Sequence, residues 1–203
     1  MNRRNATVAA EVLITRAELA RRTRELATEV SAGFHDGGEP PLLIGVLKGS
    51  TLFLADLLRA MTVDVAVDFM SISSYDAAAP QSGIVRIVKD LEEDIGGRDV
   101  VIVEDIVDTG LTLTYLRRAL GERDPRSLRC VTLLDKAIRR IVPVELEHRG
   151  FEIPDVFVVG YGLDFQGRYR NVPDILAVRD LARLANDPGL LVPVLFGAQT
   201  EAR

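Results

Sequence analysis

The chain has little of what secreted and membrane proteins usually need. It contains a single cysteine, Cys130, so no disulfide can form within the chain. Cys130 stands in an apolar, strand-like segment and is expected to be a thiol of the core. No apolar run approaches the roughly 18 residues of a membrane-spanning helix, and the first residues do not form a secretory signal. These absences predict a cytoplasmic protein without a membrane partner.

Positive charge is also in short supply. The 25 lysine and arginine residues are outnumbered by 30 aspartate and glutamate residues, which gives a net charge of −5. Broad nucleic-acid surfaces are basic, so no nucleic-acid partner is expected. A small anionic ligand needs only a local group of cations, which this composition allows. The 203 residues, 47% of them hydrophobic, are enough for a packed core, and we expect one domain over residues 1–203.

One stretch places acidic residues directly after a buried strand. Val100–Val103 is a short, wholly apolar, β-branched run, which is typical of a strand covered on both faces in a parallel sheet. Glu104 and Asp105 follow at the predicted end of this strand, and Asp108 lies in the next turn. Gly110, in the same turn, permits a close approach of the backbone to a ligand.

The turn after this strand suits an anion. A helix is predicted to begin near Thr112, and the backbone N–H groups and dipole of a helix N-terminus favour a phosphate. Three acids within five residues repel one another unless a cation or hydroxyl donors lie among them. The sequence therefore indicates hydroxyl groups or a divalent metal beside the anion. The alternative is that these acids only cap the helix and the exposed sheet edge.

Strands and helices alternate along the chain, which predicts an α/β fold with a doubly wound, mostly parallel sheet flanked by helices. The predicted strands are 42–47, 63–70, 84–88, 100–103, 128–134 and 156–160. The small and polar segment 71–83 predicts a mobile loop. Ligands of such sheets bind beyond the carboxyl ends of the strands. The residues at predicted strand ends, which we expect to share one cleft, are Lys48, Glu104, Asp105, Lys136 and Asp164.

Two segments carry a resemblance to a known family. Val101–Thr112 resembles the phosphoribosyl diphosphate (PRPP) binding motif of the type I phosphoribosyltransferases, with two adjacent acids, a third acid and a Thr-Gly-x-Thr turn. Phe151–Asp164 is similar to the sequence that separates the hypoxanthine-guanine branch from other phosphoribosyltransferases. The resemblance covers a core of about residues 12–180 and leaves tails at 1–8 and 188–203. It implies the fold of that family, with a small hood built from the N- and C-terminal parts.

The resemblance implies a set of PRPP-binding residues. Glu104 and Asp105 would bind the ribose hydroxyls, directly or through Mg²⁺. The 5′-phosphate would lie against Asp108, Thr109, Gly110, Leu111 and Thr112.

Two other segments would bind the pyrophosphate of PRPP. Lys48 and Gly49 resemble a loop in which related enzymes use a non-proline cis peptide to direct backbone N–H groups at the ligand. Arg170 resembles an arginine that binds the pyrophosphate oxygens. Related sequences often continue with Asp-Leu, whereas Asn171 and Val172 follow here, which leaves the local backbone open.

A further group of residues would bind the purine. Lys136 would donate to the exocyclic O6 and so favour a 6-oxopurine over adenine. Phe157 would stack on the base, the Val158 backbone would contact its edge, and Asp164 would hold a second Mg²⁺ there. Asp108 resembles the general base or acid near N7 of the purine. The plain alternatives are a solvated strand end for Lys136, ordinary core packing for Phe157 and helix capping for Asp108.

The resemblance implies transfer of 5-phosphoribosyl from PRPP to hypoxanthine or guanine, in a homodimer or homotetramer. Ser74 and Tyr75 resemble part of the flexible lid that would exclude water. Two alternatives stay open: a PRPP- or nucleotide-sensing regulator on the same fold, and a phosphoribosyltransferase that prefers xanthine. The apolar segment Leu190–Phe196 lies outside the resemblance and is expected to pack on the core or on a partner subunit.

Overall fold

The computed structural model describes residues 9–34, 39–74 and 85–197. The chain divides into two compact units. The larger unit is Ala20–Asp155, and the smaller one combines Met1–Leu19 with Val156–Arg203.

The secondary structure alternates between strands and helices, as predicted. The strands are β1 (Ala10–Ile14), β2 (Leu42–Leu47), β3 (Ala66–Ser74), β4 (Val85–Lys89), β5 (Asp99–Val107), β6 (Ser127–Asp135), β7 (His148–Glu152), β8 (Phe157–Val159) and β9 (Ile175–Val178). The helices are α1 (Arg16–Ser31), α2 (Thr51–Ala60), α3 (Leu111–Gly121), α4 (Leu181–Asn186) and α5 (Val192–Leu195), with a 3₁₀ turn at Ala137–Arg139. No helix in this described part is long and apolar enough to cross a lipid bilayer.

The larger unit is built on a six-stranded sheet in the order β4-β3-β2-β5-β6-β7. All neighbouring strands are parallel except β4, which pairs antiparallel with β3. The central strands are apolar because helices cover them, and Val100, Val101, Ile102 and Val103 of β5 are fully buried. Cys130 of β6 is also fully buried and is a free thiol. The mostly parallel α/β sheet predicted from the sequence is confirmed.

Strand β5 is longer than the sequence predicted. It pairs with β2 as far as Val103 but continues alongside β6 as far as Val107. Glu104 and Asp105 therefore lie inside the strand, at the point where its pairing with β2 stops. The predicted strand end at Glu104 was wrong because the ladder to β6 satisfies the backbone beyond the apolar run. Strand β3 likewise extends through Ser74, in part of the segment predicted to be a loop.

The smaller unit contains a separate three-stranded antiparallel sheet in the order β1-β9-β8. The apolar run at 156–160 was predicted to join the parallel sheet, but β8 pairs with β9 instead. An apolar run does not indicate which sheet will bury it. The parallel neighbour of β6 is instead β7, a strand that was not predicted from the sequence. Asp164 therefore does not follow a strand of the parallel sheet, so its predicted position at a strand end of that sheet was wrong.

Helix α1 begins with a capping box at Thr15–Glu18. The Glu18 carboxylate accepts from the Thr15 backbone N–H at 2.9 Å, and the Glu18 N–H donates to the Thr15 hydroxyl at 3.3 Å. The inner face of α1 is buried, at Leu19, Thr23, Leu26, Ala27 and Val30. In α3, Leu113, Leu116 and Leu120 are buried, whereas Thr112 is exposed.

The tail after α4 packs within its own unit as far as Leu191. Leu190 and Leu191 are buried in a cluster with Tyr169, Val172 and Leu176, while Phe196 is 40% exposed. The Tyr169 hydroxyl donates to the Pro188 carbonyl at 2.5 Å, which fixes the segment before α5. Tyr75 and the rest of the predicted lid, residues 75–83, lie outside the described residues.

Asp68 joins β3 to the turn that follows β4. Its side chain is buried and accepts from the backbone N–H groups of Phe69, Glu92 and Glu93 at 2.6, 2.7 and 3.0 Å. Burial by itself raises the pKa of this carboxyl, but the three N–H donors outweigh it and hold the pKa below the ordinary value. The charged form is therefore the one that stabilises the fold.

We expect Asp68→Asn to lower the free energy of unfolding at pH 7 by about 1–3 kcal/mol. Because the folded-state pKa is depressed, the advantage of Asp68 is complete above the unfolded pKa, near 3.8, and is lost as the pH falls through the folded pKa. Urea unfolding of both proteins from pH 7 down to pH 3 measures this difference. A difference in the free energy of unfolding that does not shrink below pH 4 would contradict this prediction. So would an equal loss of free energy of unfolding in the exposed Asp64→Asn variant.

Candidate active site

The parallel sheet brings four of the predicted site residues to one edge. Lys48 follows β2, Asp105 and Asp108 lie at the end of β5, and Lys136 follows β6. These three strands are direct neighbours and point the same way, so their carboxyl ends meet at one edge. The backbone N–H of Lys136 donates to the Val107 carbonyl at 2.9 Å, which continues the ladder between β5 and β6 into the site.

The loop after β2 has an unusual backbone. The peptide between Leu47 and Lys48 is a non-proline cis bond, of the kind that the resemblance implies for this loop. Two hydroxyls support the turn: Ser50 Oγ donates to the Val46 carbonyl at 2.6 Å, and Thr51 Oγ1 donates to the Lys48 carbonyl at 2.8 Å. Ser50 is fully buried, so the loop is joined firmly to the start of α2.

Gly49 lies directly against the Asp105 carboxylate. A Cβ placed on Gly49 would be 1.5 Å from Asp105 Oδ2, so the carboxylate occupies the space that a side chain would need. The other oxygen, Oδ1, accepts from the Ile106 N–H at 2.9 Å. The lack of a side chain at position 49 therefore lets the loop after β2 contact an acid of β5.

Glu104 is a deeply buried acid of this edge, at 5% exposure. Burial, and then the negative charge of Asp105, raise the pKa of Glu104 well above its ordinary value. An incoming cation or hydroxyl donor would favour the ionised form of this carboxyl.

The two adjacent acids offer the hard oxygen donors that Mg²⁺ prefers. Within residues 9–34, 39–74 and 85–197, no group of three or more His, Cys, Asp or Glu side chains forms a metal cage. Glu104 and Asp105 therefore fit Mg²⁺ only in the manner usual for this ion, with most of its ligands supplied by substrate oxygens and water.

The loop from Asp108 to Thr112 forms the N-terminus of α3. Gly110 is the N-cap residue, with φ +85°, and the Leu111 N–H, at the first helical position, donates to the Thr109 hydroxyl at 3.4 Å. A Cβ on Gly110 would lie 2.8 Å from the Val142 carbonyl. The Thr109 carbonyl accepts from the Ile141 and Val142 N–H groups at 2.9 and 3.2 Å, which fixes the loop from behind. An eleven-residue helix thus presents its N-terminal dipole at this edge, as an anion site requires.

Asp108 stands between two cations. Lys136 Nζ is 4.0 Å from Asp108 Oδ2, and Arg139 Nε is 3.3 Å from Asp108 Oδ1. The Asp108 backbone carbonyl also accepts from Arg140 Nη1 at 3.0 Å. Lys136 is 6% exposed, so the ammonium group approaches Asp108 from inside the protein.

The residues that support this loop, Asp135, Arg139 and Arg140, were not predicted from the sequence. Asp135 was assigned no role, yet its side chain is buried and pairs with Arg140 Nη2 and, at 3.1 Å, with Arg149 Nη1. Asp135 thereby orients Arg140, which holds the Asp108 carbonyl. The signal was present as an acid at the end of a strand followed by two arginines, but their partners depend on the tertiary fold.

The predicted residues of the smaller unit form a group of their own. Phe157 packs edge-on against Phe165, with ring centroids 5.7 Å apart. Asp164 Oδ1 pairs with Arg170 Nη2 at 2.7 Å, and Asp164 Oδ2 accepts from the Gly167 N–H at 2.7 Å. Arg170 Nη1 also donates to the Gly162 carbonyl at 2.6 Å. The predicted metal ligand and the predicted pyrophosphate-binding arginine are thus each other's ion-pair partners.

The sequence after Arg170 departs from the family pattern without disturbing this group. The Gly162 N–H donates to the Arg170 carbonyl at 2.9 Å, and the Tyr161 N–H donates to the Val172 carbonyl at 2.7 Å. Val172 is 3% exposed, so it fills a core position next to the exposed Asn171. Val158 is 6% exposed, in the middle of β8.

Comparison with known proteins agrees with this geometry. The family model described as the phosphoribosyl transferase domain matches residues 12–166. The hypoxanthine phosphoribosyltransferase of Salmonella typhimurium is 50% identical over 163 residues, which is 80% of this chain and 92% of that protein. The hypoxanthine-guanine phosphoribosyltransferase of Bacillus subtilis is 46% identical over 165 residues, which is 81% of this chain and 91% of that protein.

Solved structures give the same result. The crystal structure of a hypoxanthine-guanine phosphoribosyltransferase from Bacillus anthracis superposes with a TM-score of 0.79 at 43% identity, and the match covers 84% of this chain and 99% of that one. With a family model that matches most of the chain and close relatives matched over nearly their whole length, the chain belongs to the phosphoribosyltransferase family.

Proposed function

We propose that this protein is a purine salvage enzyme that transfers the 5-phosphoribosyl group of PRPP to N9 of hypoxanthine or guanine. The products are IMP or GMP and pyrophosphate. The observation that supports this most directly is the meeting of Lys48, Glu104, Asp105, Asp108 and Lys136 at one edge of the parallel sheet. The relatives named for hypoxanthine and guanine agree with the proposed substrates.

The phosphoribosyl end of PRPP would bind along the end of β5 and the start of α3. The 5′-phosphate would accept from backbone N–H groups of residues 109–112, where the dipole of α3 favours an anion. Glu104 and Asp105 would bind the ribose hydroxyls. These two acids would hold one Mg²⁺, and Asp164 would hold a second. Both ions would neutralise charge on the pyrophosphate.

The pyrophosphate would be bound by the backbone N–H groups of Lys48 and Gly49 and by the guanidinium group of Arg170. Arg170 already points its fork at a carboxylate, Asp164, and the same fork fits phosphate oxygens. We propose that both residues exchange their mutual ion pair for contacts with the substrate and its metal.

The purine would be recognised by the buried ammonium of Lys136, which donates to a 6-oxo group and cannot accept from a 6-amino group. Phe157 would stack on the base, and the Val158 backbone would contact its edge. In this pose Asp108 lies near N7, because Lys136 Nζ is 4.0 Å from its carboxylate.

The reaction breaks the bond between C1′ and the pyrophosphate oxygen and forms the bond between C1′ and N9. Positive charge develops on the ribose as pyrophosphate leaves, and the N–H groups of the loop after β2 stabilise the departing anion. Asp108 accepts the proton that the purine loses from N7.

Three further features of the protein stay predictions. One is a lid that includes Ser74 and Tyr75 and excludes water from the site. The others are a cytoplasmic location and a homodimeric or homotetrameric assembly.

We expect the purified protein, with PRPP and Mg²⁺, to release pyrophosphate when hypoxanthine or guanine is added and to release far less with adenine. Pyrophosphate release measured with hypoxanthine, guanine, xanthine and adenine in parallel gives the ranking. Faster turnover with xanthine would select the xanthine-preferring alternative. Tight PRPP binding without turnover on any oxopurine would contradict the proposal and favour the regulatory alternative.

A second prediction concerns Gly49. Gly49→Ala is expected to displace the Asp105 carboxylate, which is the mobile end of a side chain, so activity should fall while the fold is retained. We expect the KM for PRPP to rise about tenfold, equivalent to about 1.4 kcal/mol, with little change in Tm.

Gly121→Ala is the matched control, because a Cβ at that position meets nothing within 4 Å. The KM for PRPP is measured from initial rates over a range of PRPP concentrations, and Tm from thermal melting of both variants. An unchanged KM for PRPP in Gly49→Ala would refute the proposed role of the contact between Gly49 and Asp105 in PRPP binding.

A further inference from the structure

Arg139 is the closest cationic side chain to the Asp108 carboxylate, yet neither the sequence pattern nor the proposed chemistry gives it a role. Its Nε lies 3.3 Å from Asp108 Oδ1, whereas Lys136 Nζ lies 4.0 Å from Asp108 Oδ2. The two carboxylate oxygens are therefore faced by two different cations. An aspartate that must meet one atom of a substrate depends on what fixes its two oxygens.

The two cations are not equivalent in the proposed reaction. Lys136 is buried and, when a purine is bound, would donate to the purine oxygen. Arg139 is 51% exposed and lies on the 3₁₀ turn after β6. It stays available to Asp108 while the ammonium of Lys136 is engaged with the substrate.

Arg139 is itself oriented by a second acid. Its Nη1 donates to Asp155 Oδ1 at 3.5 Å, at the end of the larger unit. A guanidinium group can pair with two carboxylates through different edges of its planar fork, which a lysine ammonium does with less definition. Asp155, Arg139 and Asp108 thus form a chain of alternating charge that ends at the proposed proton acceptor.

The backbone of Asp108 is held separately. Its carbonyl accepts from Arg140 Nη1 at 3.0 Å, and Arg140 is in turn paired with the buried Asp135. Removal of Arg139 would therefore leave the main chain of the loop in place. Ion pairs as exposed as that of Arg139 contribute little to stability, so a purely structural role predicts almost no consequence of its loss.

We infer that Arg139 is a positioning residue for the phosphoribosyl transfer: it holds the Asp108 carboxylate in the orientation that accepts the purine proton while Lys136 is engaged with the purine oxygen. The inference rests on the proposed function, because it takes Asp108 as the proton acceptor. Arg139 itself contacts no reacting atom in this account.

The test compares the full-length protein with Arg139→Gln and Arg139→Lys, using hypoxanthine, PRPP and Mg²⁺. Arg139→Gln is expected to lower kcat about tenfold or more, because a misplaced acid–base group loses much of its effect. The KM for PRPP should change by less than about twofold, since no PRPP contact is removed. Arg139→Lys should recover part of kcat, because it restores the charge without the planar fork.

Two further variants separate this role from a structural one. Arg118→Gln is the matched control, since Arg118 is an exposed arginine of α3 whose partner is Glu122, and it should leave kcat unchanged. Asp155→Asn should reduce kcat less than Arg139→Gln, because the contact of Arg139 with Asp108 is kept.

The outcomes distinguish this inference from the proposed function. If the unaltered protein releases no pyrophosphate with any oxopurine, the proposed function fails. If it turns over but Arg139→Gln has an unaltered kcat, the inference is overturned and the proposed function stands. A fall in kcat for Asp155→Asn that equals that for Arg139→Gln would also overturn it, because Arg139 would then act by joining the two ends of the segment.

Discussion

The site depends on the unequal pairing of strand β5 with its two neighbours. β5 leaves β2 after Val103 but stays with β6 as far as Val107, so its last residues have hydrogen-bonded support on one side and open space on the other. The loop after β2 enters that space, where Gly49 lies against Asp105. The continued ladder to β6 brings Lys136 beside Asp108. One difference in strand pairing thus sets the positions of the acids, the glycine loop and the lysine.

Electrostatics then determine what this edge can bind. Glu104 and Asp105 are adjacent acids, and Glu104 is deeply buried with a raised pKa. A bound cation or hydroxyl donor would lower this pKa again, because it favours the ionised carboxylate. A few residues further on, the N-terminus of α3 favours a negative charge. A ligand that satisfies both must carry an anionic group and, a short distance away, hydroxyls or a metal. A phosphorylated sugar has this distribution of charge, which is why the phosphoribosyl end of PRPP suits the edge.

Much of this could be predicted from the sequence, and the failures have physical causes. The β-branched run, the acids and the Thr-Gly-x-Thr turn are contiguous, so the local chemistry at 100–112 was visible without a fold. The mostly parallel sheet followed from the alternation of strands and helices. The placement of β8 could not be predicted, because a three-residue apolar strand carries no information about which sheet will bury it. The ion pairs of Arg139 and Arg140 could not be predicted either, since the spacing of charged residues along the chain does not show which of them meet. The positions of Asp164 and Arg170 as mutual partners were missed for the same reason.

A crystal structure of the protein with IMP, the proposed product, tests the assignment of this edge most directly. We expect the 5′-phosphate against the backbone N–H groups of residues 109–112, the ribose hydroxyls beside Glu104 and Asp105, and the purine O6 within hydrogen-bonding distance of Lys136 Nζ. A nucleotide bound with its phosphate away from the N-terminus of α3, or with its O6 away from Lys136, would contradict the account.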